Sequence, residues 1–335
     1  MLDFLLGTRA KFEGSTEVTL KPDELADQLK VLVHSGNIIV KHTEQETVQA
    51  HVHVVIKGEL AEEIRTISDA DRLWRLEQDG NSIVFEQREF SGFYTNSSIK
   101  ISVELTVPKQ LKRANLQSRN GTIEARDFWG SVDAHTRNGS VDVRRIAGDV
   151  SIQSHNGSLQ LHSIDAQVVR AETHHGSIAL DSVYGDVDLD TRNGSVETKN
   201  IEGALRLQSR NGSLRIEKVT GDLMAETHNG KIVVSDCERG IDLHTHNGSV
   251  RVQNKTGVGG NWQVTTHNGS IELNIPKDTN ATFTLKTSAG KVHGNAIPVQ
   301  TQGLAQNIAV KRGDGEHVVK VETHRGSIEV SELKR

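Results

Sequence analysis

The sequence contains little of what builds thick globular cores or covalent frameworks. Among 335 residues, aromatic side chains make up 4%, proline occurs 4 times and cysteine once. The single Cys237 excludes an intramolecular disulfide and any site built from several cysteine ligands. Because large rings usually fill the centre of thick cores, so few of them indicate a thin core of valine, isoleucine and leucine.

Long apolar runs and a strong charge imbalance are also absent. The longest apolar runs, such as residues 31–33 and 38–40, fall far short of a membrane span. The first seven residues lack the basic flank and the cleavage site of a secretory signal. We therefore expect a cytoplasmic protein without membrane insertion, with envelope or surface association as the alternative. A formal charge of −5 gives no reason to expect nucleic acid as a partner.

What the sequence does contain is an internal repeat. The pattern [Ser/Thr]-[His/Arg]-Asn-Gly-[Ser/Thr] recurs, for example at residues 118–122 and 136–140, and its glycines are mostly 18 residues apart. A second turn signal, such as Gly148, lies about halfway between them. Apolar residues such as Val141, Val143 and Ile146 follow each Asn-Gly pair at fixed offsets. Each unit therefore contains two short strands and two turns, with one face of each strand directed inward.

Two architectures share this pattern. An antiparallel meander would use the Asn-Gly pairs as hairpin turns, whereas a solenoid would use each unit as one coil. The solenoid accounts better for burial, because a single meander leaves its apolar face uncovered and a coil closes two strands over a narrow core. We predict an all-β fold, a β-solenoid of the β-helix or β-roll kind. It has 18-residue coils with two strands per coil and irregular capping regions at both ends.

Departures from the period predict the organisation of one continuous elongated domain. Residues 1–14 are an N-terminal tail, residues 15–112 a β-rich cap with one short helix, residues 113–275 the regular solenoid, and residues 276–335 the C-terminal coils and cap. Caps of this kind shield the exposed ends of a solenoid.

The two caps have their own sequence signals. The helix is predicted at residues 61–76, and the N-terminal strand signals lie at residues 31–41, 49–57, 82–87 and 98–107. The C-terminal cap holds Phe283, Leu285 and a last repeat at residues 323–330. Much of the aromatic content falls in the N-terminal cap, at Trp74, Phe85, Phe90, Phe93 and Tyr94.

The asparagine of the repeated pattern predicts a ladder along one corner of the solenoid. Equivalent side chains about 4.8 Å apart on successive coils can hydrogen-bond to one another. The glycine beside each asparagine is expected to supply a positive φ at the corner. The ladder would contain Asn120, Asn138, Asn156, Asn193, Asn211, Asn229, Asn247 and Asn268.

The residue before the asparagine is histidine or arginine in the same repeats, and we call this set the edge column. It is a solvated edge in the simplest interpretation. Alternatively it binds anions such as phosphate-rich polymers, lipid head groups or acidic partners, because aligned positive charges raise the local anion concentration. The ligand-binding candidates are Arg119, Arg137, His155, His174, Arg192, Arg210, His228, His246 and His267, with His324 in the last repeat.

Histidine gives the edge column a predicted pH response. Full protonation of the 16 histidines would change the formal charge from −5 to −5 + 16 = +11. We expect anionic-polymer binding to strengthen as the pH falls from about 7.5 to about 5.5. Three histidines on consecutive coils could also converge on Zn²⁺ or Ni²⁺, but no matched carboxylate can be named, so we predict no metal.

Motifs for cofactors and catalysis are missing from the sequence. The turns are Asn-Gly-Ser and Gly-Asp, whereas calcium-binding β-rolls use Gly-Gly-x-Gly-x-Asp. No nucleophile elbow, phosphate loop or His-Glu-x-x-His motif occurs. We expect no cofactor and no enzyme. The alternative, a polysaccharide-active solenoid enzyme, would use outward acids, namely Asp142, Asp188, Glu197, Glu217 and Glu272.

Four further motifs, in this order, carry a resemblance to a known family. They are Ser35-Gly36-Asn37-Ile38-Ile39-Val40, Gln78-Asp79-Gly80-Asn81, Val103-Glu104-Leu105-Thr106-Val107-Pro108 and Gly326-Ser327-Ile328-Glu329-Val330. The chain resembles a bacterial family of proposed adhesins, a domain of unknown function also described as the toastrack domain of envelope-stress proteins. The resemblance implies an all-β solenoid that acts as a non-catalytic binding or scaffold module, with a membrane stress protein as partner, and the edge column adds an anionic envelope polymer as the other candidate partner. The resemblance brings no catalytic residues.

Self-assembly is the alternative function. A solenoid with bare ends can polymerise end to end or side by side into a cytoskeletal filament, and the chain would then be a homo-oligomer.

Overall fold

The computed structural model describes residues 10–88, 97–297 and 305–333, and it confirms the predicted β-solenoid. The chain divides into two compact units, residues 1–157 and residues 158–335. In the described part of the chain, no helix is long and apolar enough to cross a membrane. Two of the predicted cap positions of unit 1 are described, Trp74 and Phe85, whereas Phe90, Phe93 and Tyr94 lie outside the described residues.

In its described residues, unit 1 contains twelve strands, two one-turn helices and one 3₁₀ turn. The helical elements are α1 (Leu60–Glu63), α2 (Ile67–Ala70) and the 3₁₀ turn Asp71–Leu73. The strands are β1 (Lys11–Leu20), β2 (Gln28–Ser35), β3 (Ile38–Thr43), β4 (Val48–Lys57), β5 (Trp74–Asp79), β6 (Ser82–Gln87), β7 (Ser98–Pro108), β8 (Arg113–Asn120), β9 (Ile123–Phe128), β10 (Ser131–Asn138), β11 (Val141–Ala147) and β12 (Val150–Asn156).

The strands of unit 1 form two sets that alternate along the chain. In the first set β5 pairs antiparallel with β6, and β6, β2, β8, β10 and β12 follow in parallel. In the second set β1, β4 and β7 pair antiparallel, and β7, β3, β9 and β11 follow in parallel. Successive coils therefore stack in register, while antiparallel strands occupy the N-terminal part of the unit.

The N-terminal segment differs from the expectation in three places. The expected helix at 61–76 is two short helices and a 3₁₀ turn, because Ile64 is extended, Thr66 caps a new helix and strand β5 begins at Trp74. The strand expected at 31–41 is divided into β2 and β3 by the corner at Gly36. Strand β1 begins at Lys11, within the segment expected to be a tail.

Unit 2 contains sixteen strands in its described residues. Strands β13 and β14 are long because each continues around the second corner of its coil. The strands are β13 (Leu159–His175), β14 (Ile178–Asn193), β15 (Val196–Glu202), β16 (Leu205–Asn211), β17 (Leu214–Val219), β18 (Leu223–Asn229), β19 (Ile232–Cys237), β20 (Ile241–Asn247), β21 (Val250–Gln253), β22 (Trp262–Asn268), β23 (Ile271–Ile275), β24 (Ala281–Ala289), β25 (Val292–His293), β26 (Gln306–Arg312), β27 (His317–Arg325) and β28 (Ile328–Glu332).

The coils of unit 2 also stack as two parallel sets. One set contains the second half of β14 followed by β16, β18, β20, β22, β27 and β24, and β26 closes it antiparallel to β24. We call this set sheet A. The other set, sheet B, contains the first half of β14 followed by β15, β17, β19, β21, β23, β28 and β25.

The last repeat of the sequence is not the last coil of unit 2. Strand β27 pairs with β22 on one side and with β24 on the other, so the coil at 317–332 lies between two coils that precede it in sequence. The coil beyond it has its corner at Thr287 to Gly290, a variant of the repeated pattern without asparagine. Phe283 and Leu285, expected in the C-terminal cap, are fully buried in that coil.

Seven of the described coils carry a bend in their second strand. Seven residues other than glycine have positive φ at this bend, and their burial pattern shows two exposed or half-exposed residues in succession. The bend lets the next apolar side chain, such as Ile146 or Val219, turn back into the core. The residues are Asp127, Arg145, Ser163, Ser182, Asn200, Lys218 and Asp236.

Candidate functional site

The buried serine or threonine of the repeated pattern fixes the first corner of each coil. Its hydroxyl donates a hydrogen bond to the carbonyl oxygen of the corner glycine in the neighbouring coil. Thr136 Oγ1 donates to Gly121 in unit 1 at 3.2 Å, and Thr227 Oγ1 donates to Gly212 in unit 2 at 3.2 Å. These bonds join adjacent coils beneath the edge column, so they hold the outward residues at a constant spacing.

The corner glycine is required for a reason other than the expected one. The glycines that follow the ladder asparagines, such as Gly139 and Gly212, do not have positive φ. Instead, a Cβ atom on Gly212 would lie 1.9 Å from the carbonyl oxygen of Gly194. The expected positive φ at these Asn-Gly pairs is therefore wrong, and glycine is needed because the backbones of adjacent coils approach too closely for any side chain.

The ladder asparagines are joined by side-chain hydrogen bonds within each unit. In unit 1, Asn138 Nδ2 donates to Asn120 Oδ1 at 2.8 Å, and Asn156 Nδ2 donates to Asn138 Oδ1 at 2.8 Å. In unit 2 the same 2.8 Å bonds join Asn193, Asn211, Asn229, Asn247 and Asn268 in sequence. The ladder position is His175 in the coil before Asn193 and Arg325 in the coil after Asn268.

The edge column in unit 2 brings four imidazole rings into one stack. The ring centroids of His228 and His246 are 4.9 Å apart, and those of His246 and His267 are 4.8 Å apart. His267 and His324, 57 positions apart in the sequence, also stack at 4.8 Å because β27 lies beside β22. The interplanar angles are 18° or less.

This stacking affects the titration of the column. The pKa of His267 lies below its ordinary value, first because of partial desolvation and then because of the positive charges of His324, His246 and Arg325. Neighbouring imidazolium groups repel one another at this spacing. His267 therefore gains its proton at a lower pH than an isolated histidine would.

The stacked rings do not converge on a metal ion. Parallel rings 4.8 Å apart leave equivalent nitrogens farther apart than two ligands of one Zn²⁺ ion, which bind it at about 2.0–2.1 Å each. Over the described ranges, no group of three or more histidine, cysteine, aspartate or glutamate side chains has an arrangement that could hold a metal.

An acidic row lies directly beside the edge column in unit 2. The outward residues two positions earlier on the same strands are Glu172, Asp190 and Glu226, and together with His174 and His228 they line a shallow depression of about 530 Å³. Burial and the charges of Glu172 and Asp188 raise the pKa of Asp190. The arginines of this part of the column, Arg192 and Arg210, line the same depression as these carboxylates, and neither forms an ion pair in the described residues.

The edge column in unit 1 has different neighbours. Arg119 and Arg137 lie on adjacent coils, and the outward residues two positions earlier are Gln117 and His135. Neither arginine forms an ion pair within the described part of the chain. The one carboxylate facing outward on β10, Asp133, lies two outward positions before Arg137 and accepts a hydrogen bond from Asn115 Nδ2 at 3.4 Å. At these two arginines the column thus has no carboxylate at the adjacent outward position of the same strand.

Sequence patterns alone did not show this acidic row. The signal was present, because a carboxylate stands two residues before His174, Arg192 and His228, and alternate residues of a strand share one face.

Most of the acids that the sequence offered as catalytic candidates take part in ion pairs. Asp142 pairs with Arg144, Glu217 with Lys199, Glu272 with Arg251, and Asp188 lies 4.0 Å from Arg206.

Two buried groups with shifted pKa values lie away from the edge column. Burial lowers the pKa of His42 in unit 1 to about 4. Its ring donates a hydrogen bond from Nε2 to the carbonyl oxygen of Leu111 at 2.9 Å, and Nδ1 accepts one from the backbone N–H of Trp129 at 3.0 Å. Burial raises the pKa of the Cys237 thiol in unit 2 to about 12. His42 is therefore neutral and Cys237 a protonated thiol at neutral pH, and both serve in packing.

These features define a class of protein, a parallel β-solenoid whose coils present aligned polar columns at their corners. The chain belongs to the Toastrack DUF4097 family, whose model matches residues 27–331. The resemblance noted from the four sequence motifs is thereby confirmed. A search among curated proteins found no match.

Similar solved structures include two proteins from Parabacteroides distasonis and one from Bacteroides fragilis. A proposed lipid-binding protein from Parabacteroides distasonis is 12% identical over 78% of this chain and 96% of its own, with a TM-score of 0.42. A proposed adhesin from the same organism is 12% identical over 95% of this chain and 97% of its own, with a TM-score of 0.37. A proposed adhesin from Bacteroides fragilis is 11% identical over 96% of this chain and 97% of its own, with a TM-score of 0.31.

Proposed function

We propose that this Toastrack solenoid is a non-catalytic binding module and that it binds anionic polymers through the edge column of unit 1. The observation that carries the proposal is the pair Arg119 and Arg137, which lies among amide and imidazole side chains without an ion pair in the described residues. Guanidinium groups in a row attract polyanions, and a fork of donors on each suits phosphate and carboxylate groups.

The edge column of unit 2 is a weaker anion site in this proposal. Glu172, Asp190 and Glu226 line the same depression as its arginines, so an anion there meets negative charges as well as positive ones. The ligand would be a phosphate-rich or carboxylate-rich polymer of the bacterial envelope. A membrane stress protein as the protein partner belongs to the same proposal, and its support is the family resemblance.

The test compares matched pairs of arginines from the two units. Binding of inorganic polyphosphate is measured by titration calorimetry at pH about 7.5 and about 5.5, at two salt concentrations. We expect the double variant Arg119→Gln/Arg137→Gln to lose about tenfold or more in affinity, and the wild-type affinity to rise at the lower pH and fall with salt. The double variant Arg192→Gln/Arg210→Gln is the control, with a change of less than about threefold.

Two results would contradict the proposal. One is wild-type binding that is absent, or that does not weaken with salt. The other is an equal loss of affinity in both double variants, since this would place the anion on the whole column rather than on unit 1.

A further inference from the structure

A long groove follows the outer face of sheet A in unit 2, at the second corner of the coils and beside the depression described above. Its volume is about 840 Å³, and its walls extend over successive coils from Val168 to Lys320. Small residues at the corner, Ala204 and Gly240, deepen it, and its polar lining consists of side chains that point away from the core. The proposed anion site lies in unit 1, so the groove is a separate feature.

Several polar side chains of the groove have no partner. The side chains of Arg170, Asp242, Gln263 and Lys320 form no hydrogen bond or ion pair with other residues in the described part of the chain.

Other polar groups of the groove are used within the protein. Asp186 Oδ1 accepts from the Ala204 N–H at 2.9 Å, and Asp222 Oδ1 accepts from the Gly240 N–H at 3.0 Å. The four side chains without a partner are therefore the donors and acceptors that the groove keeps available for a ligand.

The groove also holds exposed apolar surface between its polar side chains. Met224 is 44% exposed near the middle of the groove, and Val318 is 37% exposed at one end. Exposed apolar side chains beside hydrogen-bonding groups suit a ligand that has both hydroxyl groups and C–H faces.

The repeat of the groove narrows the choice of ligand further. Coils of unit 2 place equivalent side chains 4.8–4.9 Å apart, as the stacked histidine rings show. An extended 1,4-linked hexose chain advances by slightly more than this distance per sugar, so neighbouring sugars lie near neighbouring coils, and in a β-linked chain alternate sugars turn the same edge toward the groove. An extended peptide instead directs side chains to the same side every two residues, a repeat of about 6.6 Å, which does not match the spacing of the coils.

The charge of the groove favours a neutral ligand over an acidic polymer. Four aspartates lie along it, at positions 186, 188, 222 and 242, against the cationic Arg170, Arg206 and Lys320. Since carboxylates outnumber cations, a neutral chain is favoured over a uronic-acid or phosphate polymer.

From these observations we propose that the groove on sheet A binds a neutral polysaccharide of hexose units, laid along the stack with about one sugar per coil. Planar carboxylate, amide and guanidinium groups at Asp242, Gln263 and Arg170 bind the hydroxyls, and Met224 packs against a sugar face. No bond of the glycan is broken in this proposal.

The test is a titration with neutral oligosaccharides of increasing length. The probes are α-1,4-linked and β-1,4-linked glucose and β-1,4-linked mannose chains, from monosaccharides up to chains longer than the groove, with calorimetry on the full chain. We expect affinity to rise with length until the groove is filled and then to level off. Met224→Glu and Asp242→Ala should each reduce affinity about tenfold or more.

Matched controls separate the groove from general effects. Val233→Glu places the same new charge at an outward position of sheet B, and it should leave glycan affinity unchanged. The variant Arg119→Gln/Arg137→Gln should also keep glycan binding, so the failure of either proposal leaves the other standing. Unfolding by urea is followed for each variant to establish that it is folded.

Three outcomes would overturn the inference. They are no binding by any of the neutral chains, binding without dependence on chain length, or an equal loss of affinity in Met224→Glu and Val233→Glu. Tight binding of a lysine-rich or glutamate-rich peptide in place of the glycans would identify the groove as a protein site and would likewise contradict the proposal.

Discussion

At the scale of single residues, buried threonines of this solenoid occur both with and without a hydrogen-bond partner. Thr227 is buried at a corner, and its hydroxyl donates to the carbonyl oxygen of Gly212. Thr198 is fully buried within β15, between positions occupied by Leu180 and Ile216 in the neighbouring coils, and its hydroxyl has no hydrogen-bond partner within the described part of the chain. A buried hydroxyl without a partner costs free energy, whereas a bonded one contributes to stability.

The two threonines give a matched pair of substitutions. We expect Thr198→Val to raise the free energy of unfolding by about 1 kcal/mol, because it replaces an unsatisfied hydroxyl by a methyl group of similar volume. Thr227→Val should lower it by about 1 kcal/mol, because the bond between coils is lost. Urea unfolding followed by circular dichroism measures both, and a change of the same sign in the two variants would contradict the assignment.

At the scale of elements, the unit of this fold is a coil with a bent second strand. The sequence carried a signal for the bend, because Val141 and Val143 are two residues apart but Ile146 follows after three. A strand of strict period two cannot bury all three, so one residue adopts positive φ and restores the inward direction. Arg145, Lys218 and the other residues at this position occupy a conformation that costs about 1–2 kcal/mol for a residue with a Cβ atom.

The bend predicts an effect of glycine that is the reverse of the usual one. Lys218 has a φ of 59° and an exposed side chain, so Lys218→Gly should raise the free energy of unfolding by roughly 0.5–1 kcal/mol. Arg215→Gly, at an exposed position of the same strand without positive φ, should lower it by roughly 0.5–1 kcal/mol. The midpoint of thermal unfolding gives the comparison, and a loss of stability in both variants would show that the bend is not strained.

At the scale of the whole molecule, pH acts on stability through a buried histidine as well as on surface charge. His42 is 8% exposed, and its ring packs between Phe128 and Trp129, with centroids 4.0 and 5.6 Å away. Because its folded pKa of about 4 lies below the ordinary 6.5, the unfolded chain binds the proton more readily. The stabilisation is therefore fully present above about pH 6.5 and is lost as the pH falls toward about 4.

This linkage predicts a pH-dependent stability of unit 1. Between pH about 6.5 and about 4, the free energy of unfolding should fall by about 3 kcal/mol through His42 alone. His42→Gln, which does not titrate, should show a shallower decline over that interval. The exposed His135→Gln variant controls for the loss of one histidine, and an equal change of slope in both variants would rule out the buried group as the cause.

Much of the fold could be predicted from the sequence, and less of the candidate site. The period of 18 residues, the corners and the inward positions are local properties of the chain, and they were enough to favour the solenoid. The helix expected at 61–76 was wrong because residues 74–79 find a partner strand in β6. Such pairing across a turn outweighs local helical preference.

The sequence by itself determined that this protein is a thin-cored β-solenoid with polar columns along one corner, because spacing along the chain fixes which residues turn and which point inward. Only the tertiary structure decided how coils are ordered and which columns meet. The last repeat is inserted between two earlier coils, and this places the ring of His324 on that of His267. Glycine is required at the corners because the backbones of neighbouring coils are in contact there. Carboxylates lie in the same depression as the arginines of unit 2, but not at the outward positions next to Arg119 and Arg137. These depend on stacking between coils, where residues far apart in the sequence lie within 5 Å of each other.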